Sequence, residues 1–213
     1  MKEIIDVYSA NQIKIGSADR SEVHKKGLWH KTFHCWILTK IKNINYLVFQ
    51  LRSPSISFPN LLDISVAGHF LKGETKKNIT REIKEELGLG IIFTRLYYLG
   101  QRTEVIDIGE IKNREFQDIF MINIPNFLNI ISPNTQEING IFWLSLKSSL
   151  QLFSNKKKSF TIDGIEFNKE SQNWVKTKKI ITIKNFVPRM TNYYLSISIN
   201  GKRLLKNEFP LSI

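Results

Sequence analysis

Three glutamates, Glu82, Glu85 and Glu86, crowd into five consecutive residues directly after Arg81. On a helix over residues 78–87, at about 100° per residue, they share a single arc of about 100°. Ile79, Ile83 and Leu87 form an adjacent apolar stripe that can anchor such a helix to a sheet, and Arg81 lies one turn from Glu85, where it can hold that carboxylate. Like charges so close repel unless a cation sits among them. A hard divalent ion such as Mg²⁺ takes oxygen ligands and keeps several waters, so a carboxylate cluster suits it. Held there, it can bridge the oxygens of a diphosphate and neutralise charge as it develops. The plain alternative is a solvated acidic face, but Lys84 points away from the arc and compensates it little.

Strand patterns must position this helix. Residues 33–39 and 46–51 are β-rich and flank a turn at 42–45. A loop follows between Pro54 and Pro59, then a short strand over 63–67 that ends at Gly68. The helix stops at Gly88. Residues 91–99, 115–124 and 140–143 each read as strands, and 144–153 as a short helix. The lysine-rich 155–158 reads as an exposed loop or the start of a C-terminal extension. Residues 193–199, followed by Asn200-Gly201, fit either a hairpin or a terminal helix. Strands interleaved with two or three helices indicate an α/β or α+β sandwich.

The chain has 213 residues, enough for one large domain or a domain with a modest appendage, and its 42% hydrophobic content supports a proper core. No apolar run approaches the roughly 18 residues of a membrane span, and the N-terminus mixes charge with apolar residues, unlike a signal peptide. The single Cys35 cannot form an internal disulfide. These features imply a cytoplasmic protein with no membrane partner. The net charge is +12, but the lysines and arginines are scattered through an Ile-, Lys- and Asn-rich chain rather than gathered on one face, which argues against a dedicated nucleic-acid binder.

The segment from Gly68 to Leu89 resembles the Nudix box, Gly-x5-Glu-x7-Arg-Glu-U-x-Glu-Glu-x-Gly-U, with U a bulky aliphatic residue. Gly68, Glu74, Arg81, Glu82, Ile83, Glu85, Glu86, Gly88 and Leu89 occupy the defining positions, and only six residues rather than seven separate Glu74 from Arg81. Around the box, residues 26–34, 50–54, 63–69, 114–118 and 137–143 are similar to the Nudix branch often compared with isopentenyl-diphosphate isomerase. The resemblance covers roughly residues 3–153, and the tail with Phe186-Val187-Pro188-Arg189 resembles extensions in that branch.

The resemblance implies a Nudix-type α/β/α sandwich around a mixed β-sheet, with residues 1–153 as the Nudix domain and 154–213 as an extension packed on it. It implies a hydrolase that cleaves a diphosphate linkage in a nucleoside diphosphate derivative or other organic diphosphate, with Mg²⁺ or Mn²⁺. Gly68, Glu82, Glu85 and Glu86 become metal ligands, with Arg81 as the orienting partner. Glu115 and Glu137 are candidates for the general base, and Arg52 and His69 for contacts to the anionic substrate. The isomerase likeness extends to His69, His24 and His30 as metal-binding histidines, but the isomerase needs a cysteine just before the Gly-His pair, where this chain has Ala67. A diphosphate-sensing domain without catalysis is the alternative that the shortened box suggests, and isomerisation is disfavoured. Trp29, Trp36 and Phe70 are candidates for stacking on a base or for the core. A homodimer through the terminal segments is compatible with the sequence.

Overall fold

The computed structural model describes residues 2–54, 57–108 and 111–213; Met1 and the middle of the loop bracketed by Pro54 and Pro59 lie outside them. The chain opens with a hairpin, β1 (Ile4–Tyr8) and β2 (Lys14–Asp19), and a short helix α1 (Arg20–Lys26), which Asp19 caps by accepting from the Ser21 N–H. Two long strands follow, β3 (Trp29–Ile41) and β4 (Ile44–Arg52), then the short β5 (Leu62–Asp63) and β6 (Val66–His69). Helix α2 (Ile79–Leu87) precedes β7 (Tyr97–Ile108), β8 (Ile111–Asn123) and β9 (Ile138–Ser145). Helix α3 (Leu146–Phe153), a second hairpin β10 (Phe160–Asn168) and β11 (Asn173–Ile181), and helix α4 (Tyr193–Leu205) complete the chain.

The eleven strands among the described residues join one mixed sheet: β3 runs parallel to β8 over Trp29–Leu38, and the other strand pairings are antiparallel. The period of two along each strand sorts side chains into two cores. Trp36, Leu38, Phe49, Ile119 and Met121 pack with α3 and α4. Phe33, Cys35, Ile37, Phe120 and Ile122 pack with the Ile79–Ile83–Leu87 stripe of α2. Helices therefore cover both faces, as a sandwich requires.

Three local readings change. Residues 63–67 are not one strand: pairing breaks at Ile64 and Ser65, so that β5 joins β4 and β6 joins β3. Residues 91–99 are not one strand: Phe93–Arg95 form a 3₁₀ turn and pairing starts at Tyr97. Ile91, Phe93 and Leu96 all pack against the same α2-side core, and that shared direction is incompatible with strand alternation. Tyr193-to-Ile199 takes the helical alternative, because Tyr193, Tyr194, Ile197 and Leu204 bury one face in the core around Trp36 and Phe49. Asn200-Gly201 makes no turn: Gly201 admits Leu38 and Leu146, one methyl of each within 3.1 and 3.2 Å of where a Cβ would stand.

The sheet splits where the chemistry lies. β3 and β4 pair only over Leu38–Ile41 and Ile44–Leu47. Beyond that, β3 takes β6 (Thr32 opposite His69) and β4 takes β5 (Gln50 opposite Asp63), while β9 runs along the other edge of β4. A cavity of about 630 Å³ opens in the split.

Candidate functional site

Helix α2 ends in a left-handed Gly88 whose N–H closes on the Lys84 carbonyl. Ahead of it, Lys76–Asn78 form a 3₁₀ turn, tighter than an α-helical one. That compact entry absorbs the missing residue between Glu74 and Arg81. Arg81 still donates to both Glu74 oxygens (3.1 and 3.2 Å), and also to Glu82 (2.9 Å) and Glu85 (2.7 Å). Glu74 in turn accepts the Leu71 N–H at 2.8 Å, which fixes the loop behind the helix. One guanidinium thus orients three carboxylates.

The acids on the helix differ in setting. Glu85 is exposed, Glu82 is half-buried, and Glu86 is 4% exposed, with a buried Oε2 that has no hydrogen-bond partner. Burial, then Glu137 and Glu82, push the Glu86 carboxyl well above its usual range. Glu82 is raised by burial, although Arg81 opposes the shift. Gly68 presses against Glu82: a Cβ there would stand 3.3 Å from the Glu82 carboxyl carbon and 3.0 Å from the Phe33 ring. Glu86, Gly68 and Glu137 line the cavity. Glu137 is open to solvent, and its carboxyl is raised by partial desolvation and by Glu3 and Glu85. An orphaned carboxylate oxygen among like charges fits a hard cation.

A second donor set adjoins the cavity, with His24 and His69 on its wall and His30 buried behind them. His24, His30 and His69 bring three ring nitrogens within 4.8 Å of one another. His24 Nδ1 lies 2.6 Å from Asn113 Oδ1 and His30 Nδ1 lies 2.9 Å from the Leu28 carbonyl. Those acceptors place the protons on Nδ1 and leave both Nε2 lone pairs facing inward. The His24 and His69 Nε2 atoms are 3.0 Å apart, while the buried His30 Nε2 has no hydrogen-bond partner and stands 3.7 Å from Glu115. Imidazoles whose outer nitrogens are held by carbonyl oxygens are the usual ligand arrangement of a metal site. Burial holds His69 well below its usual pKa and lowers His24, which keeps both rings neutral and able to coordinate. Three imidazoles and one carboxylate suit Zn²⁺ or Mn²⁺ better than Mg²⁺.

Glu115 therefore belongs to the histidine group. It accepts from Gln117 at 2.5 Å, and although burial opposes ionisation, His30, His69 and Gln117 hold its carboxyl well below the usual range. His69 likewise sits in this cluster, stacked on His30 at 5.2 Å. Arg52 lines the cavity, tied to Asp63 at 2.8 Å. Of the aromatics, Trp36 and Phe70 are core and Trp29 stacks on Phe116 at 4.6 Å; none of the three lines the cavity. Among the cavity residues that escaped the sequence reading as site residues are Asp63, Arg189 and His34, whose Nδ1 meets the Tyr193 hydroxyl at 2.8 Å. Asp63 and His34 fell inside strand patterns, and nothing local marks Arg189 as a neighbour of either.

No family model matches the sequence. An uncharacterized Nudix hydrolase of Clostridium acetobutylicum is 32% identical over 194 residues, spanning 91% of this chain and 94% of that protein. The chain belongs to the Nudix hydrolase family. Nudix hydrolase 3 of Arabidopsis thaliana is 29% identical over 167 residues, 75% of this chain and 21% of that much longer one. Among solved structures, this Nudix hydrolase shares its fold with a Deinococcus radiodurans protein (TM-score 0.52, 22% identity, 73% of this chain and 91% of that one). It also resembles a MutT/nudix family protein of Enterococcus faecalis (TM-score 0.51, 11% identity, 82% of this chain and 62% of that one). Nudix enzymes are pyrophosphohydrolases that generally use divalent cations. No helix among the described residues is long and apolar enough to cross a membrane.

Proposed function

We propose that this Nudix hydrolase cleaves the phosphoanhydride of an organic diphosphate, such as a nucleoside diphosphate derivative, in the cytoplasm, with Mg²⁺ or Mn²⁺ held by Glu82, Glu85 and Glu86. The buried, unpartnered Glu86 oxygen on the cavity wall carries the reading, since nothing else in its surroundings explains retaining it. A divalent cation there supplies charge neutralisation on the phosphoryl oxygens and polarises the attacking water. Arg81 keeps the acids in register, Arg52 meets the anionic substrate, and Glu137 takes the proton from water. Glu137 suits that task better than Glu115: it is reached by solvent and its raised pKa makes it the stronger base, whereas Glu115 is occupied by Gln117 and the histidines.

The His24–His30–His69 cluster supports a place in the isomerase-like branch, but the chain lacks a thiol for carbon proton transfer. Ala67 sits opposite His34 in the sheet, and Cys35 is wholly buried on the α2 side with its thiol pushed far up by burial. The sensing-domain reading loses its support, because the shortened box still brings Glu74 onto Arg81. The test is turnover of a broad panel of nucleotide, sugar and prenyl diphosphates with Mg²⁺ against the Glu86→Gln background. Product from wild type alone is expected, and equal rates for both proteins on every compound overturn the reading.

A further inference from the structure

Along β3, Thr32 and His34 line the cavity, and His30 lies buried two residues before Thr32, about 13 Å along the strand from His34. The two ends differ in charge. His30 stands in the metal-ligating group, while His34 lies in the field of Arg189 and Asp63. Arg189 is delivered by the C-terminal tail, which docks where Val187 N–H donates to the Leu62 carbonyl at 3.0 Å. Its guanidinium donates to Asp63 and, at 3.3 Å, to Glu104. Asp63 also receives Arg52 (2.8 Å), and Glu104 receives Arg102 (2.7 Å).

Three guanidiniums therefore face two carboxylates. The side chains of Arg189, Asp63, Glu104 and Arg102 are 7%, 2%, 0% and 10% exposed, so water does little to screen the surplus positive charge. His34 brings no compensating charge, since burial keeps it neutral, and Tyr193 and Tyr194 remain protonated. Of the other cavity acids, Glu86 is engaged with the cation of the proposed function and Glu115 with the histidines, while Glu137 is exposed and lies in the field of the α2 acids.

We propose that Arg189 and Arg52 receive a further anionic group of the substrate, beyond the diphosphate held at the cation: a third phosphate or a carboxylate on the organic part. This rests on the hydrolase reading and narrows its substrate class. A hydrocarbon chain in the same place would strip water from Gln50, Asp63 and the two arginines without replacing its hydrogen bonds, so prenyl diphosphates are poor ligands.

Matched pairs test it by calorimetry, with Ca²⁺ replacing Mg²⁺: UDP-glucuronate against UDP-glucose, and ATP against ADP. Wild type is expected to prefer the charged member of at least one pair by about tenfold or more, the scale of one charge-assisted contact. Arg189→Met should cut that preference to under about threefold, and Arg189→Lys should keep it. The methionine variant leaves Asp63 paired with Arg52 and Glu104 with Arg102, so it removes the surplus charge without orphaning an acid. Equal affinities within both pairs for wild type, or a preference that survives Arg189→Met, overturns the proposal. If Arg189→Met does not fold, the uridine pair measured on wild type and Arg189→Lys decides alone, because its extra carboxylate lies apart from the diphosphate. Inorganic pyrophosphate separates the two levels. Failure to bind it with cation sinks the hydrolase reading too, whereas binding without charge preference sinks only the role of Arg189.

Discussion

Replacing Glu86 by glutamine should stabilise the metal-free protein while disabling the enzyme. The side chain is 4% exposed, its Oε2 has no partner, and burial with Glu137 and Glu82 nearby raises its pKa well above the ordinary 4.5. Glutamine leaves a neutral amide there in place of an unpaired ionisable acid, and the difference between the charged and the neutral group is on the order of 1–3 kcal/mol. For a domain of this size that corresponds to a melting point about 2–12 °C higher for Glu86→Gln in EDTA at pH 8. Folding raises this pKa, so the unfolded chain releases the proton first. Stability from Glu86 is intact below about pH 4.5 and drains away as pH climbs through the folded value. The gap between variant and wild type should therefore be small at pH 4 and widen toward pH 8. Millimolar Mg²⁺ should reverse the order by stabilising wild type and not the variant. Diphosphate turnover should fall by at least about 100-fold, at or beyond the loss expected from disturbing a metal ligand's supporting shell. Calorimetric melts at three pH values, with and without Mg²⁺, read all of this. A variant that melts lower than wild type in EDTA at pH 8, or that gains as much from Mg²⁺, refutes the argument.

Tyr193→Phe removes the hydroxyl that accepts from Trp36 Nε1 and meets His34 Nδ1, both at 2.8 Å, and orphans a wholly buried indole N–H. Urea unfolding should show a loss of about 1–3 kcal/mol, and an unchanged midpoint contradicts it. His30→Ala removes one of three imidazoles; equilibrium dialysis should find a Co²⁺ or Zn²⁺ site in wild type and Glu86→Gln that is lost here, and equal binding by all three proteins dissolves the second donor set. Truncation after Phe153 strips Tyr193, Tyr194, Ile197 and Leu204 from the core around Trp36 and Phe49. It should abolish cooperative melting, while a sharp transition in the truncated chain makes residues 154–213 a dispensable appendage.

How far the sequence exposed this molecule depends on the range of the forces involved. The α2 carboxylates, their arginine and the apolar stripe repeat at helical spacing, so their shared arc followed from ten residues, and the Arg81–Glu85 ion pair lies where the spacing put it; the pairs of Arg81 with Glu74 and Glu82 were not foreseen. The strand of residues 33–39 was legible by composition, yet its true extent, Trp29–Ile41, was not. Trp29 and His30 become strand only through β8 and β1, which are remote in sequence. Helix α4 was ambiguous because tyrosine, isoleucine and serine satisfy either period; the core against Trp36 and Phe49 selects the helix. The hairpin of β10 and β11 also lacked a local signal. Its turn, Lys169–Gln172, carries no glycine, and a glutamine with positive φ takes the strained place.

The cavity itself is a consequence of pairing, which no single segment encodes. β3 needs a partner over 32–35 where β4 pairs with β5 instead, and the short β6 provides it, carrying Gly68 and His69. That substitution turns a continuous sheet into a cleft with polar side chains from both branches on its walls. Glu86, rooted in α2, and Arg189, rooted in the tail, then reach the same space from opposite faces of the sheet. An acid end that needs a cation and a guanidinium end that needs an anion face each other across the split. A ligand with several separated negative charges, and metal at only one end of it, is the one that satisfies both.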